Sequence, residues 1–332
     1  MVVGPGTVSD QVPLAPDPVP GGTAAAKAIE GRSLGRIAWN RLKRDKVAMT
    51  GAVVVILLIL VAIFAPLIVK LLGDPPNDFH QDLIDPNTLA PKGGTGISAD
   101  HLFGVEPLNG RDIFSRVVYG ARISLLIAFL STMLSVLLGS TMGVIAGFFG
   151  GWVDAVISRL MDIFLAFPLL VFAIALAGVI PDRAFGLSGD ALRIAMLIFI
   201  IGFFSWPYIG RIIRGQTLSL REREFVEASR SLGARGPYII VKEMLPNLVA
   251  PILIYATLLI PTNIIFEASL SFLGVGIRPP TASWGGMLSE AARFYTIWHF
   301  IFFPGMAIFI TVLAFNLFGD GLRDALDPKG RR

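Results

Sequence analysis

Residues 46–70 read KVAMTGAVVVILLILVAIFAPLIVK, and 23 uncharged residues lie between Lys46 and Lys70. A bilayer core about 30 Å thick is crossed by about 20 apolar helical residues, so this stretch is long enough to span it. Five more windows of the same kind follow. Arg122 to Asp154 encloses 31 uncharged residues, Asp162 to Asp182 encloses 19, and Arg193 to Arg211 encloses 17. Glu243 to Glu267 encloses 23 and Arg293 to Asp320 encloses 26. Of the 332 residues, 54% are hydrophobic and 16% are charged. A soluble domain carries about 25% charged residues and does not gather its apolar ones into such runs. The chain is an all-α integral membrane protein with six expected transmembrane helices. In the shortest window, Arg193 and Arg211 are expected to snorkel from the two ends.

Orientation follows from the basic residues, which accumulate on the cytoplasmic side of short loops. The segment with Lys27, Arg32, Arg36, Arg41, Lys43, Arg44 and Lys46 shares one side with the loop after span four and with the tail from Arg323. Together with Arg159 these hold 19 of the 28 Lys and Arg. Both termini are therefore expected inside. The other side carries an acidic loop (Asp74, Asp78, Asp82, Asp85, Asp100, Glu106, Asp112). This asymmetry accounts for the net charge of +4 without nucleic acid as a partner. The absence of Cys excludes disulfides, thiolate catalysis and Cys-ligated metals. Residues 1–31, rich in Pro, Gly and Ala, are expected to be a disordered cytoplasmic tail. The first apolar run starts too far from Met1, and is too long, for a cleaved signal peptide. From Ser33 to Lys46 the pattern is amphipathic, with Leu34, Ile37, Ala38 and Leu42 on one face. An interfacial helix and a plain stop-transfer flank both fit.

The longest cytoplasmic loop, 211–246, is the most specific. Phe225, Ala228, Ser229 and Leu232 fall on one face of a helix flanked by Glu224, Glu227 and Arg230. Gly233 stands where a left-handed C-cap is wanted. Pro237 suits the first turn of a second helix, and Pro246 the approach to span five. The spacing predicts a short helix, a tight turn and a second helix, a finger suited to a groove on a soluble partner.

Glu227-Ala228-Ser229, Gly233 six residues after the Glu, and Leu245-Pro246 resemble the EAA loop of permease subunits of ATP-binding-cassette (ABC) importers. Ser229 replaces the second Ala of that pattern, and Glu243 stands at its Ile, with Met244 available for the apolar contact one place on. Three more stretches resemble the dipeptide/oligopeptide branch, the DppC/OppC subfamily. The first is Gly110-Arg111-Asp112 with Ser115-Arg116, Tyr119-Gly120-Ala121-Arg122 and Ser124-Leu125. The second runs from Glu267 through Ser269, Ser271 and Gly274 to Gly276, Pro280 and Ser283-Trp284-Gly285. The third is Asp162 with Phe167-Pro168. Residues 104–109 are one residue longer than the family pattern before Gly110. The likeness covers residues 33–326.

The resemblance implies a type I ABC importer permease fold in a prokaryotic cytoplasmic membrane. It divides the chain into tail (1–31), interfacial and first transmembrane helices (32–72), extracytoplasmic loop (73–117), transmembrane core (118–322) and cytoplasmic tail (323–332). It implies as partners a second homologous permease, cytoplasmic ATPase subunits, an extracytoplasmic solute-binding protein and membrane lipid. Coupling to the ATPase would fall to Glu227, Ala228, Ser229, Gly233, Leu245 and Pro246, and ATP with magnesium would bind the partner. Relatives carry dipeptides, oligopeptides, nickel chelates, glutathione or haem. The alternative is a secondary transporter or channel without ATPases, against which stand spans lacking a central charge for ion coupling.

No catalytic residue is expected, since the chain has no Gly-x-x-x-x-Gly-Lys-Ser/Thr, His-Glu-x-x-His or Gly-x-Ser-x-Gly. Leu187-Ser188-Gly189 resembles part of the ATPase signature, but it falls in an external loop and reads as coincidence. Glu267, Ser269, Ser271, Gly274 and Trp284 are candidates for a pathway or gate, and Glu267 equally for a helix cap bonded to Ser269. The Gly- and Pro-rich stretch 274–286 reads either as a re-entrant segment or as an external loop. Asp162 is expected to pair with Arg159. Arg111, Arg116 and Arg122 are expected to meet the acidic loop or lipid head groups. His80 and His101 read as solvated loop residues, with no metal site expected.

Overall fold

A computed structural model describes residues 34–179 and 183–327 of the chain. The tail expected over 1–31 and the last five residues of the cytoplasmic tail lie outside the described residues. Asp45 sets the first turn of the fold. Its Oδ1 accepts the backbone N–H groups of Val47 (2.9 Å) and Ala48 (3.0 Å), capping α2 (Lys46–Ile63) and separating it from α1 (Leu34–Leu42). The amphipathic segment is thus a helix of its own. Its Ala38 and Leu42 are buried. The first span breaks at Phe64 and ends as α3 (Ala65–Leu72).

The second span, α4 (Ile113–Phe149), begins within the region assigned by sequence to the external loop, because Asp112 caps it by accepting the Ser115 N–H at 2.8 Å. At 1.5 Å per residue α4 is about 55 Å long, well beyond the bilayer core. The third span is not one straight helix. α5 (Gly151–Ala166) and α6 (Leu169–Val179) meet at a 75° bend. Pro168 lacks an N–H and pushes Phe167 out of the helical region, to ψ 128°. Charge spacing placed this span after Asp162 only. The helix runs back through Asp154 and Asp162 because arginines of the next span neutralise both.

That next span, α7 (Gly189–Arg221), extends past both ends of its 17-residue window. A two-residue hairpin, Arg183–Ala184 with Leu187–Ser188, precedes it. After α7 come the short α8 (Glu224–Ser231) and a continuous rod over Gly236–Phe272. The rod comprises α9 (Gly236–Tyr238), a π turn (Ile239–Met244) and α10 (Leu245–Phe272). α11 (Trp284–Ala291) folds back against the bundle, and α12 (Trp298–Leu326) is the last span. Among the described residues, five helices are therefore long and apolar enough to cross a membrane, six if the bent α5–α6 pair is counted as one span.

The closest packing is between α4 and α7. Gly139, Gly143 and Gly147 recur every fourth residue on α4 and face α7. A Cβ on Gly143 would lie 2.6 Å from the Gly210 carbonyl, and one on Gly147 2.7 Å from Thr217 Cβ. Lipid tails are as apolar as side chains, so such small-residue stripes, which let backbones touch, supply much of the association energy. Some polar side chains within the bundle are satisfied across helices. Ser135 donates to the Gly202 carbonyl and Asn263 to Thr132 Oγ1, both at 2.8 Å.

Candidate functional site

The finger begins where α7 ends. Val226 is fully buried, whereas Phe225 is 38% and Leu232 88% exposed. The face predicted to be apolar thus points outward, and a single neighbouring position holds α8 down. Gly233 closes the helix as expected, with φ +81°. Its N–H donates to the Arg230 carbonyl (2.9 Å) and the Ala234 N–H to that of Ser229 (3.0 Å). Pro237 stands in the first turn of α9. The π turn that follows is legible only in the structure. It adds a residue to one turn, rotating the chain so that Met244, not Glu243, points inward. Met244 then packs with Val226, Ile239 and Leu248 against Val144 of α4 and Ile209 and Ile213 of α7. The departure from the family pattern at Glu243 is absorbed in this way.

Glu227, Ala228, Gly233, Leu245 and Pro246 are exposed, and Ser229 is partly so. The floor beneath them is tied by charge. Arg214 clamps Asp154 through two nitrogens (Nη2 to Oδ2, 2.6 Å), Arg221 reaches the Gly147 carbonyl at 3.4 Å, and Arg230 lies 5.7 Å from the Phe148 ring. Asp162 pairs with Arg211 at 2.6 Å rather than with Arg159, since the bend in span three lays α5 along α7.

The opposite end is built differently. Glu106, Arg111 and Arg116 are all at least 95% buried and form one ion cluster with Glu290 of α11. Arg116 contacts Glu106 Oε2 at 3.3 Å and Glu290 Oε2 at 3.2 Å, and donates to the Pro280 carbonyl at 3.2 Å. Burial raises the Glu106 carboxyl above its ordinary pKa, against the pull of Arg116 and Arg111. Arg111 and Arg116 therefore do meet the acidic loop, while Arg122 packs over the Tyr119 ring at 5.9 Å.

The pathway candidates divide. Glu267 is fully buried and accepts from Ser271 Oγ at 2.8 Å; Ser269 bonds the Ile265 carbonyl instead of capping with Glu267. Trp284 is buried, its Nε1 donating to the Val117 carbonyl at 2.9 Å and its backbone N–H to Ser124 Oγ at 3.3 Å. Ser283 caps α11 through the Gly286 N–H at 3.1 Å. Gly274 is exposed at φ +80° and ends α10 much as Gly233 ends α8. The stretch 274–286 thus joins an exposed turn, with Gly274 and Arg278 to Pro280 open to solvent, to the packed start of a short helix. Leu187-Ser188-Gly189 forms the hairpin and the start of α7. The acidic loop folds back on itself, so His101 is buried rather than solvated and stands beside His80 and Asp74.

Residues 139–332 match the family described as binding-protein-dependent transport system inner membrane component. Residues 33–91 match the N-terminal transmembrane domain of oligopeptide transport permease C. Over 292 residues the chain is 45% identical to the glutathione transport system permease protein GsiD of Escherichia coli O6:K15:H31, covering 88% of this chain and 89% of the relative. Over 296 residues it is 40% identical to the dipeptide transport system permease protein DppC of Alkalihalophilus pseudofirmus, covering 89% and 90%. A solved structure of the MetNI methionine ABC transporter in inward-facing conformations has the same fold (TM-score 0.52, 20% identity, 65% of this chain and 98% of that one). The fold is that of a type I ABC importer permease, in a multi-pass protein of the cytoplasmic membrane. Within that class the chain belongs to the family of binding-protein-dependent inner membrane components, in its DppC/OppC-type branch.

Proposed function

We propose that the chain forms, with a second homologous permease subunit, the pathway of an ATP-driven importer for short peptides. Cytoplasmic ATPase subunits engage the finger at 224–246, and an extracytoplasmic binding protein delivers the solute. The observation that carries this reading is the finger itself. Val226, Ile239 and Met244 anchor it to α4 and α7, while Phe225, Glu227, Ala228 and Leu232 stay open to solvent. An apolar side chain as exposed as Leu232 at the tip of a fixed helix fits a partner's groove. ATP binding that favours one closure state of the partner would then move α7 and α10 together. The relatives named for glutathione and for dipeptides support a short peptide as solute.

Isolation of the intact protein in mild detergent, followed by ATPase and uptake assays, tests the proposal. A phosphate-loop ATPase should co-purify, and Gly233→Val should lower ATP-dependent peptide uptake while the complex stays assembled. A lone chain that moves solute without ATP would overturn it and favour the secondary transporter.

A further inference from the structure

Two of the chain's three histidines, separated by 20 residues of loop, converge on one carboxylate at the outer end of the bundle. His80 Nε2 lies 3.6 Å and His101 Nε2 3.8 Å from Asp74 Oδ2, and the three ligand atoms lie within 4.8 Å of one another. Both separations exceed a hydrogen bond. His80 Nε2 is shielded from solvent and has no hydrogen-bond partner among the described residues. The rings stand edge to face, 4.9 Å apart.

We propose that Asp74, His80 and His101 bind a divalent transition cation, best Zn2+, from the extracytoplasmic side. Zn2+ bonds of about 2.0–2.1 Å in a tetrahedron set ligands about 3.3 Å apart, so the two separations to Asp74 close by a few tenths of an ångström. Three protein ligands leave a fourth position for water. Two imidazoles select zinc-like ions over Mg2+ and Ca2+, which prefer oxygen.

The surroundings are those of a ligand set rather than of a chance cluster. His101 Nδ1 meets Asp112 Oδ1 at 3.1 Å, and Asp112 is fully buried. A carboxylate on Nδ1 leaves Nε2 as the ring atom facing Asp74 at 3.8 Å, and it is the orienting contact that metal-binding histidines usually have. Two glycines let the loop reach this geometry. A Cβ on Gly73, beside Asp74, would sit 3.2 Å from Asp112 Oδ2, and one on Gly110 would strike the His80 backbone. The other Asp112 oxygen caps α4, so the cation would join the loop to the start of the second span.

The test uses the full-length protein, free of any histidine tag, in detergent with its co-purifying subunits, and Zn2+ alone as the probe. After chelation and desalting, the wild type is expected to take up about one additional Zn2+ compared with His80→Ala. Zn2+ should also slow modification of His80 by diethylpyrocarbonate, a readout independent of any variant. His80→Ala or Asp74→Asn should weaken binding by at least about tenfold. Asp78→Asn, an exposed acidic neighbour, should leave it unchanged, and excess Mg2+ should not compete. Absence of Zn2+ uptake at this site, equal affinity in His80→Ala, or no protection of His80 would overturn the assignment.

Discussion

The two ends of the bundle handle charge in opposite ways. Around the finger, Glu224, Glu227, Arg223 and Arg230 stand in solvent, and one apolar row holds the element down. At the outer end Glu106, Arg111, Arg116 and Glu290 are folded into a cluster that satisfies its own charges. A buried ion pair adds little net stability over an apolar replacement, but removing one partner strands a charge and is costly. An exposed charge is nearly free to change. The inner end thus leaves its charges open to solvent, and the outer end uses its charges to hold its own geometry.

The largest expected effect breaks the outer side of this contrast. Arg116→Ala leaves Glu106 facing Arg111 alone and should destabilise the protein by about 3–5 kcal/mol, seen as a fall in thermal midpoint in detergent. Arg116→Met with Glu106→Leu should recover much of the loss; if it does not, specific bonds such as that to the Pro280 carbonyl outweigh charge balance. Gly143→Leu forces α4 from α7 and should cost about 1–3 kcal/mol or more by overpacking, measured in the same way. Gly233→Val meets no neighbour within 4 Å, yet forces a β-branched residue to φ +81°. It should cost about 1–2 kcal/mol locally, leaving assembly intact while uptake falls. The smallest effect on stability sharpens the inner side. Leu232→Asp should shift the thermal midpoint of the isolated chain by no more than about 0.5 kcal/mol equivalent, yet reduce recovery of the ATPase in pull-downs.

Much of the fold was legible because charge and hydrocarbon do not mix. The apolar windows located five spans directly, and Gly233 with Pro237 located the finger's turn. The start of span three was placed too late because Asp162 looked like its boundary and Asp154 like the end of span two, when Arg211 and Arg214 neutralise the two from another helix. No local pattern shows that. The α4 stripe of Gly139, Gly143 and Gly147 is a readable signal at a spacing of four, one that apolar length alone does not report. Glu290 could not have been assigned to Arg111 and Arg116, since the contact joins residues more than 170 positions apart. The π turn hid in a stretch whose composition suits an ordinary helix, and the outward turn of Phe225 and Leu232 depends on where Val226 finds its pocket.

α7 is a single rod. Its first turn is held near α11 by the Asp190 contact with Thr281, and its last leads straight into the finger. With 33 residues it is about 50 Å long. Pivoted near its middle, it would act as a lever: a tilt of about 5° moves each tip by about 2 Å in opposite senses. The glycine seam beneath it, backbone against backbone, would be the fulcrum.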